Sequence, residues 1–286
     1  MRSLVRLVLL GTLAPTAGAG MLTCGDAAPD PSRIAVAGGS LTEILYDLGE
    51  AERVIAVDRT SNYPQAALEL PQIGYVRNLS AEGLLSLSPT LVLGEHDMGP
   101  PAVIEQLEAL GVDVLRVPEE FDGEGIARKI RCVAAAVGAD AFGEDLVAAL
   151  DASDAGVEPP AGDAPRGVVI LTFDSGAPLA AGRDTSGDGL LRLAGARNQL
   201  ADVEGWKPVS VEAMAAAAPE FIVITERGLA AAGGMDALRA HPALRLTPAA
   251  QKGNVIAMDG MAMLGFGPRT LGAAADLREK LGESSR

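Results

Sequence analysis

The sequence predicts an α/β fold: two Rossmann-like lobes with parallel sheets, joined by a single long interdomain helix. Three observations carry this expectation. Short apolar runs alternate with helical patterns of about 10–14 residues, the mark of strand–helix–strand units. The stretch GYVRNLSAEGLLSLSPTLVLGE is echoed 130 positions later by GWKPVSVEAMAAAAPEFIVITE. In each copy a Ser-x-Glu opens a helix, a proline ends it and an apolar strand follows, with identical spacing from Ser80 to Pro89 and from Ser210 to Pro219. Between the copies, residues 124–157 read as helical apart from a break near Gly138, and Glu158-Pro-Pro-Ala-Gly-Asp-Ala-Pro165 then interrupts the chain.

The first lobe is expected over 33–123. Arg33-Ile-Ala-Val-Ala reads as a strand running into Gly38-Gly39-Ser40. Ser40 and Glu43 have the spacing of a reciprocal helix cap, and Gly49 ends that helix. Val54–Asp58 is the next strand, and a loop with two prolines runs from Arg59 to Gly74. The Ser80 helix, the Leu91 strand, a helix from Pro100-Pro101 and the strand Val112–Val117 complete the lobe. In the linking segment, Phe142, Leu146 and Leu150 form one helical stripe. The second lobe, 158–286, repeats the plan. Its strands begin at Gly167, Phe221 and Asn254; its helices cover Thr185–Ala194, the Ser210 stretch, Met235–Ala240 and Arg269–Leu281. Two such lobes bind a ligand in the cleft between them, at the carboxyl ends of the strands.

Composition narrows the function. The chain has 286 residues, 48% of them hydrophobic, which suits two packed cores and excludes disorder. A net charge of −15 argues against a nucleic-acid partner, because phosphate binding needs a basic stripe. Residues 1–24 read as a secretion signal, with Arg2 and Arg6 before the apolar Leu4–Leu13 and small residues after it. Cleavage before Cys24, making it a lipid anchor, and cleavage after Ala19 are both open, and either exports the protein. Residues 25–32 form a tether. Cys132 lies in a helical pattern suited to a buried free thiol, so no disulfide is expected. The two histidines, His96 and His241, do not have metal-ligand spacing, and no nucleophile–base pair can be assembled. A binding protein is therefore favoured over an enzyme.

The segments GGSLTEILYDLG, AVDRTSNYP, IGYVRNLSAEGLLSLSPTLVL, PLAAGRDT, GWKPVSVEAM and MLGFGPRT resemble the heme-binding receptors of bacterial heme ABC importers. These are helix-linked periplasmic binding proteins whose relatives serve vitamin B12 and siderophores, so a siderophore or corrinoid is the alternative cargo. The resemblance runs from about Arg33 to the end, and its most specific element is the G-Y-x-R loop. It implies a monomeric extracytoplasmic receptor, peripheral to the membrane, that delivers heme to a permease dimer with its ATPase. It also implies that Tyr75 ligates the heme iron, a role that a hard phenolate oxygen suits. A phenol with pKa about 10 is neutral near pH 7, and neighbouring cations favour its ionised form. Arg77 and Arg227 are the candidate cations, and the resemblance gives Arg227 the hydrogen bond to the tyrosine.

Some such receptors add a histidine from the second lobe, but Leu171-Thr-Phe-Asp-Ser-Gly has none, which leaves five-coordinate iron or a sixth ligand from elsewhere, with His96, just past the first-lobe strand, as the candidate. Trp206 occupies in the second lobe the place that Tyr75 has in the first. Met263, with Met261 and Phe266, is an apolar candidate for lining the ring. Glu82 and Glu212 open equivalent helices, where a carboxylate is favoured by the helix dipole in any case. The resemblance adds a role for both, each docking an arginine of one permease subunit.

Overall fold

The computed structural model describes residues 21–153, 162–174 and 176–284. The first half comprises β1 (Met21–Leu22), β2 (Ile34–Ala37), α1 (Gly39–Asp47), β3 (Val54–Val57), β4 (Gly74–Tyr75), β5 (Asn78–Leu79), α2 (Ala81–Ser86), β6 (Leu91–Glu95), α3 (Pro101–Ala109) and β7 (Asp113–Val117). Helices α4 (Gly123–Val137) and α5 (Asp140–Ser153) follow. The second half comprises β8 (Arg166–Asp174), β9 (Ala177–Ala181), α6 (Ser186–Leu193), β10 (Arg197–Asn198), β11 (Trp206–Pro208), α7 (Val211–Ala217) and β12 (Phe221–Thr225). It ends with α8 (Glu226–Ala231), α9 (Met235–Ala240), α10 (Pro248–Lys252), β13 (Val255–Met258), α11 (Gly260–Leu264) and α12 (Thr270–Ser284).

The first sheet is fully parallel, in the order β1-β7-β6-β2-β3. Its strands read as continuous apolar runs because helices cover both faces. Ile34, Val36, Leu91 and Leu93 pack on one side with α1 and α4, while Ala35, Ala37, Val92 and Val114 pack on the other with α2 and α3. The second sheet follows β11-β9-β8-β12-β13, with β10 also beside β8. It is mixed, because β9 turns back antiparallel on β8 and β11 pairs antiparallel with β9. The sequence reading had neither β9 nor β11, and PLAAGRDT supplies the first.

Glycine Gly138, at φ 72°, ends α4, and α5 turns back along it. A methyl on Gly143 would lie 2.6 Å from the Ala134 side chain, and Arg131 pairs with Glu144. Helix α5 also contacts α12 of the second half. At about 1.5 Å per residue it is roughly 21 Å long. Its apolar stripe is made by Leu146, Val147 and Leu150, whereas Phe142 is 65% exposed.

Three expectations are corrected here. Cys24 and Cys132 form a disulfide. The bridge ties the start of the described chain to α4, and a sulfur so engaged cannot carry a lipid thioether, which removes Cys24 as the anchor. Met21–Leu22 extends the first sheet as an edge strand on β7, an arrangement compatible with cleavage after Ala19; residues 1–20 lie outside the described part. Ser40 does not cap α1, whose N-cap is Gly38 at φ 151° without a side-chain bond. A Cβ on Gly38 would stand 2.6 Å from Glu95 Cγ, so only glycine fits between α1 and β6. Ser40 and Glu43 are turned to other partners.

Those partners hold the two halves together. Glu43 accepts from Arg269 Nη2 at 2.5 Å and from its Nε at 3.0 Å, and Arg269 also donates to Asp259 at 3.2 Å. Lys129, whose side chain is 1% exposed, donates to Glu119 at 2.6 Å, to the Gly265 carbonyl at 3.0 Å and to Ser40 at 3.3 Å. Phe121 meets Phe266 edge to face, 5.2 Å between centroids. Phe266 and Leu271 thus enter the apolar cluster of the first sheet.

Candidate functional site

A cleft of about 750 Å³ opens between the halves at the carboxyl ends of β3, β6, β7, β8 and β12. That is where open α/β sheets take ligands, and the size lies within the ordinary range for small-molecule sites. The first half contributes Arg59, Tyr75, Arg77, Glu95, His96, Asp97, Glu119 and Phe121. Facing them are Thr172, Asp184, Trp206, Thr225, Arg227, Met261 and Leu264.

Tyr75 is presented by a built loop. Asp58, fully buried at the end of β3, accepts from Thr60 at 2.7 Å, from Ser61 at 3.2 Å and from the Val76 amide at 3.1 Å. Burial nonetheless pushes the Asp58 carboxyl above its ordinary range, the hydrogen bonds working against it. The Arg59 amide donates to the Gly74 carbonyl at 2.8 Å. Gly74, at φ 100°, allows the tight β4–β5 hairpin in which Tyr75 pairs with Asn78. The tyrosine packs against the apolar cluster that includes Ile73, Val76 and Leu79, and it lines the cleft.

The hydroxyl accepts a hydrogen bond from Arg77 Nη1. Arg77 in turn donates through Nε to Asp97 Oδ2. Burial disfavours the guanidinium charge, but Asp97, with Tyr75 and Glu95, outweighs it and holds the Arg77 pKa above its usual value. Arg59 stands over the same ring, 5.4 Å from its centroid. The bond to Tyr75 that the sequence reading gave to Arg227 is made by Arg77, because both side chains leave one hairpin. Arg227 lies on the opposite wall, in the first turn of α8.

Of the remaining candidates, Trp206 and His96 both line the cleft. Trp206 rests on α6, where a Cβ on Gly187 would approach its ring to 3.1 Å. His96 lies 4.0 Å from Glu119. Met263 does not reach the cleft: it is 0% exposed in the core of the second half. On the short helix α11 the cleft-facing methionine is Met261, two residues earlier, because residues two apart on a helix lie about 200° apart around its axis. Glu82 and Glu212 are exposed and do not line the cleft, each one residue into a helix capped by Ser80 or Ser210.

Sequence reasoning missed Arg59 and the acidic floor. Arg59 directly follows strand β3, a position from which it was recoverable. Glu95 is pushed up to about 7 by burial first, then by Glu119, Asp58 and Asp97, against the pull of Lys129. Glu119 moves the same way, again chiefly by burial. No residue spacing announces this cluster, since Glu95, Glu119 and Lys129 come from three separate elements.

A family model described as "Periplasmic binding protein" matches residues 34–262. Among related sequences, the uncharacterized ABC transporter substrate-binding lipoprotein YvrC of Bacillus subtilis (strain 168) is 29% identical over 203 residues, 69% of this chain and 64% of that one. The vitamin B12-binding protein of Pectobacterium atrosepticum is 31% identical over 96 residues, 34% of each chain. The aligned part thus spans less than two thirds of either relative. Solved structures match over more of their length. The periplasmic heme-binding protein BhuT in complex with two hemes is 39% identical, covering 89% of this chain and 99% of that one, with a TM-score of 0.83. The periplasmic heme-binding protein RhuT from Roseiflexus sp. RS-1, in apo form, is 36% identical at the same coverage, with a TM-score of 0.84. HutB of Vibrio cholerae, also a periplasmic heme-binding protein, is 32% identical over 88% of this chain and 99% of its own, with a TM-score of 0.79.

Proposed function

This chain belongs to the periplasmic binding protein family, and from that premise we propose that it is an extracytoplasmic receptor that captures heme between its lobes and delivers it to an ABC importer. The observation that carries the reading is the Tyr75 hydroxyl, held at the cleft by Arg77 beside a second cation, Arg59. An anionic oxygen donor suits ferric iron, and adjacent guanidinium groups favour the anionic form. Trp206, Phe121, Met261 and Leu264 add apolar and aromatic surface for a flat macrocycle. Arg227 and Arg59 have no carboxylate partner among the described residues and face the cleft from opposite walls, where they suit the two propionates. The reading is one of binding and transfer, not of catalysis.

Further roles belong to the same proposal. The two lobes are 33–123 and 158–286, with α5 as the strut between them. His96 is the candidate for a sixth iron ligand. Glu82 and Glu212 are the docking acids for a permease dimer with its ATPase. With Cys24 in a disulfide, any lipid attachment lies elsewhere.

The decisive experiment is titration of the purified protein with ferric hemin, followed by absorption. A saturable Soret shift with a phenolate-to-iron charge-transfer band is expected. The runner-up, a corrinoid cargo, has the vitamin B12-binding relative in its favour. Saturable cobalamin binding without any hemin spectrum would establish that reading instead.

A further inference from the structure

We propose that Asp97 is the positioning residue that pins the Arg77 guanidinium to the Tyr75 oxygen and withholds it from ligand carboxylates, an inference that rests on Tyr75 being the iron ligand. Arg77 is a long side chain on a hairpin, 60% exposed, and within that hairpin it meets only Tyr75 among the described residues. Ordering such a chain costs rotamer entropy. Asp97 supplies the constraint. With Nε fixed on Asp97 Oδ2 at 2.5 Å, the swing of the planar guanidinium is restricted, and Nη1 lies on the Tyr75 oxygen. The two anchors move together: the Gly99 amide donates to the Val76 carbonyl at 3.0 Å, and the Leu79 amide to the Gly99 carbonyl at 2.9 Å. The Asp97 turn is therefore sewn onto the Tyr75 hairpin.

The position of Asp97 is unfavourable in every other respect. Its charge adds to the rise of both Glu95 and Glu119, so a third carboxylate here opposes burial of the first two. Its Oδ1 is buried without a hydrogen-bond partner, and Arg77 is the only group that its carboxylate engages among the described residues. A surface ion pair alone gives too little stability to offset those costs. The link to Arg77, and through it to Tyr75, is what the placement accomplishes. It also divides the labour of the cleft arginines. Arg77 already donates to Asp97 and to Tyr75, while Arg59 and Arg227 have no carboxylate partner among the described residues.

The test compares Asp97→Ala, Asp97→Asn and Tyr75→Phe in the full chain, each first shown to be folded by thermal melting. Ferric hemin and iron-free protoporphyrin IX are the two probes, since both carry the carboxylates and only hemin uses the tyrosine–iron bond. Asp97→Ala is expected to weaken the charge-transfer band and speed hemin release about tenfold, the scale of one charged hydrogen bond. Asp97→Asn keeps an acceptor for Nε and should recover most of that loss. Protoporphyrin binding should be unchanged or tighter in Asp97→Ala, because Arg77 is released, and Asp97→Ala should add nothing in a Tyr75→Phe background. Where the alanine variant does not fold, Asp97→Ser, too short to reach Nε, carries the same expectations. Wild-type hemin release and spectrum in Asp97→Ala, or equal losses for both probes, overturn the proposal. A Tyr75→Phe variant that keeps the wild-type band overturns the underlying ligand assignment, and is distinguishable because it does so without any Asp97 change.

Discussion

The Tyr75 hydroxyl accepts a hydrogen bond from Arg77, two residues further along the same hairpin. Tyrosine and cation are thus delivered to the cleft by one local structure, fastened to the end of β3 through Asp58. Tyr75→Phe keeps the ring and its packing against the cluster that includes Ile73, Val76 and Leu79, and removes only the oxygen. The variant should fold as wild type, lose the phenolate charge-transfer band and release hemin faster than His96→Ala does. A normal spectrum in Tyr75→Phe with loss in His96→Ala would move the iron ligand to the histidine.

The three cleft arginines are separable by probe. Arg77→Ala should weaken ferric hemin binding by about 1.5–3 kcal/mol, the range for a hydrogen bond to a charged group. It should do the same for hemin dimethyl ester, which has no carboxylates. Arg227→Ala should weaken hemin but leave the dimethyl ester nearly untouched, whereas Arg59→Ala, which removes both a propionate partner and a cation beside Tyr75, should weaken hemin more than the ester. Binding titrations with both compounds check this, and an Arg227→Ala variant that alone removes the charge-transfer band would restore to Arg227 the role that the sequence suggested.

Much of this arrangement was legible in the sequence, for reasons that differ by element. The capped helices at Ser80 and Ser210 follow from local chemistry, and both serines accept from the amide three residues on. The α/β class follows from apolar runs such as Leu91–Leu93 and Phe221–Ile224, which lie buried at the centres of the two sheets. Tyr75, Arg77, His96 and Arg227 reach the cleft because they sit just past strand ends or in the hairpin held there, and Trp206 reaches it from the start of the edge strand β11. What failed was whatever depends on contacts distant in sequence. Ser40 and Glu43 have the spacing of a cap, yet Lys129 and Arg269, 89 and 226 residues away, claim their side chains. Cys132 lies on an apolar face, as expected for a buried thiol, but β1 brings Cys24 to it. Met263 and Met261 are distinguished only by the phase of a five-residue helix, too short to show a period.

Glu95 gives the protein a pH-dependent stability with a defined sign. Its carboxyl titrates at about 7 in the fold against an ordinary 4.5, so between these values the folded chain holds a proton that the unfolded chain has lost. The associated stability is complete below pH 4.5 and is lost as pH rises through about 7. Lys129 opposes this shift, and Glu119, Asp58 and Asp97 reinforce it. Glu95→Gln should therefore match wild type near pH 4.5 and exceed it near pH 8, by no more than about 3 kcal/mol. Urea denaturation of both proteins at the two pH values tests it, and parallel curves would show that Glu95 ionises as freely in the fold as out of it.

The disulfide closes a segment of 108 residues, from the edge strand β1 to α4. Limiting an unfolded chain over that span should contribute about 2–4 kcal/mol. Cys24→Ser with Cys132→Ser should lower the stability by that amount, and a reducing agent should do the same to wild type but not to the variant. Hemin affinity should stay near wild type at temperatures where the variant is folded, because neither cysteine lines the cleft. Equal denaturation midpoints with and without reductant in wild type would mean that the bridge adds no stability.

Glu82 and Glu212 stand in the first turns of α2 and α7, exposed and outside the cleft. Their equivalence suits a partner that is itself two-fold, with one basic contact on each subunit. The competing explanation has a physical footing at Glu212, whose carboxyl is held below its ordinary range by its own backbone N–H and then by the Ser210 hydroxyl. A helix start would use the acid in this way with no partner at all. Reversing both charges, Glu82→Lys with Glu212→Lys, separates the two. Docking predicts that heme transfer into vesicles containing the cognate permease is abolished, while hemin affinity of the free receptor is unchanged. Capping alone predicts a lower melting temperature in each single variant, with transfer per folded molecule intact. If the doubly reversed receptor still delivers heme, the acids are helix starts and the permease is met by some other surface.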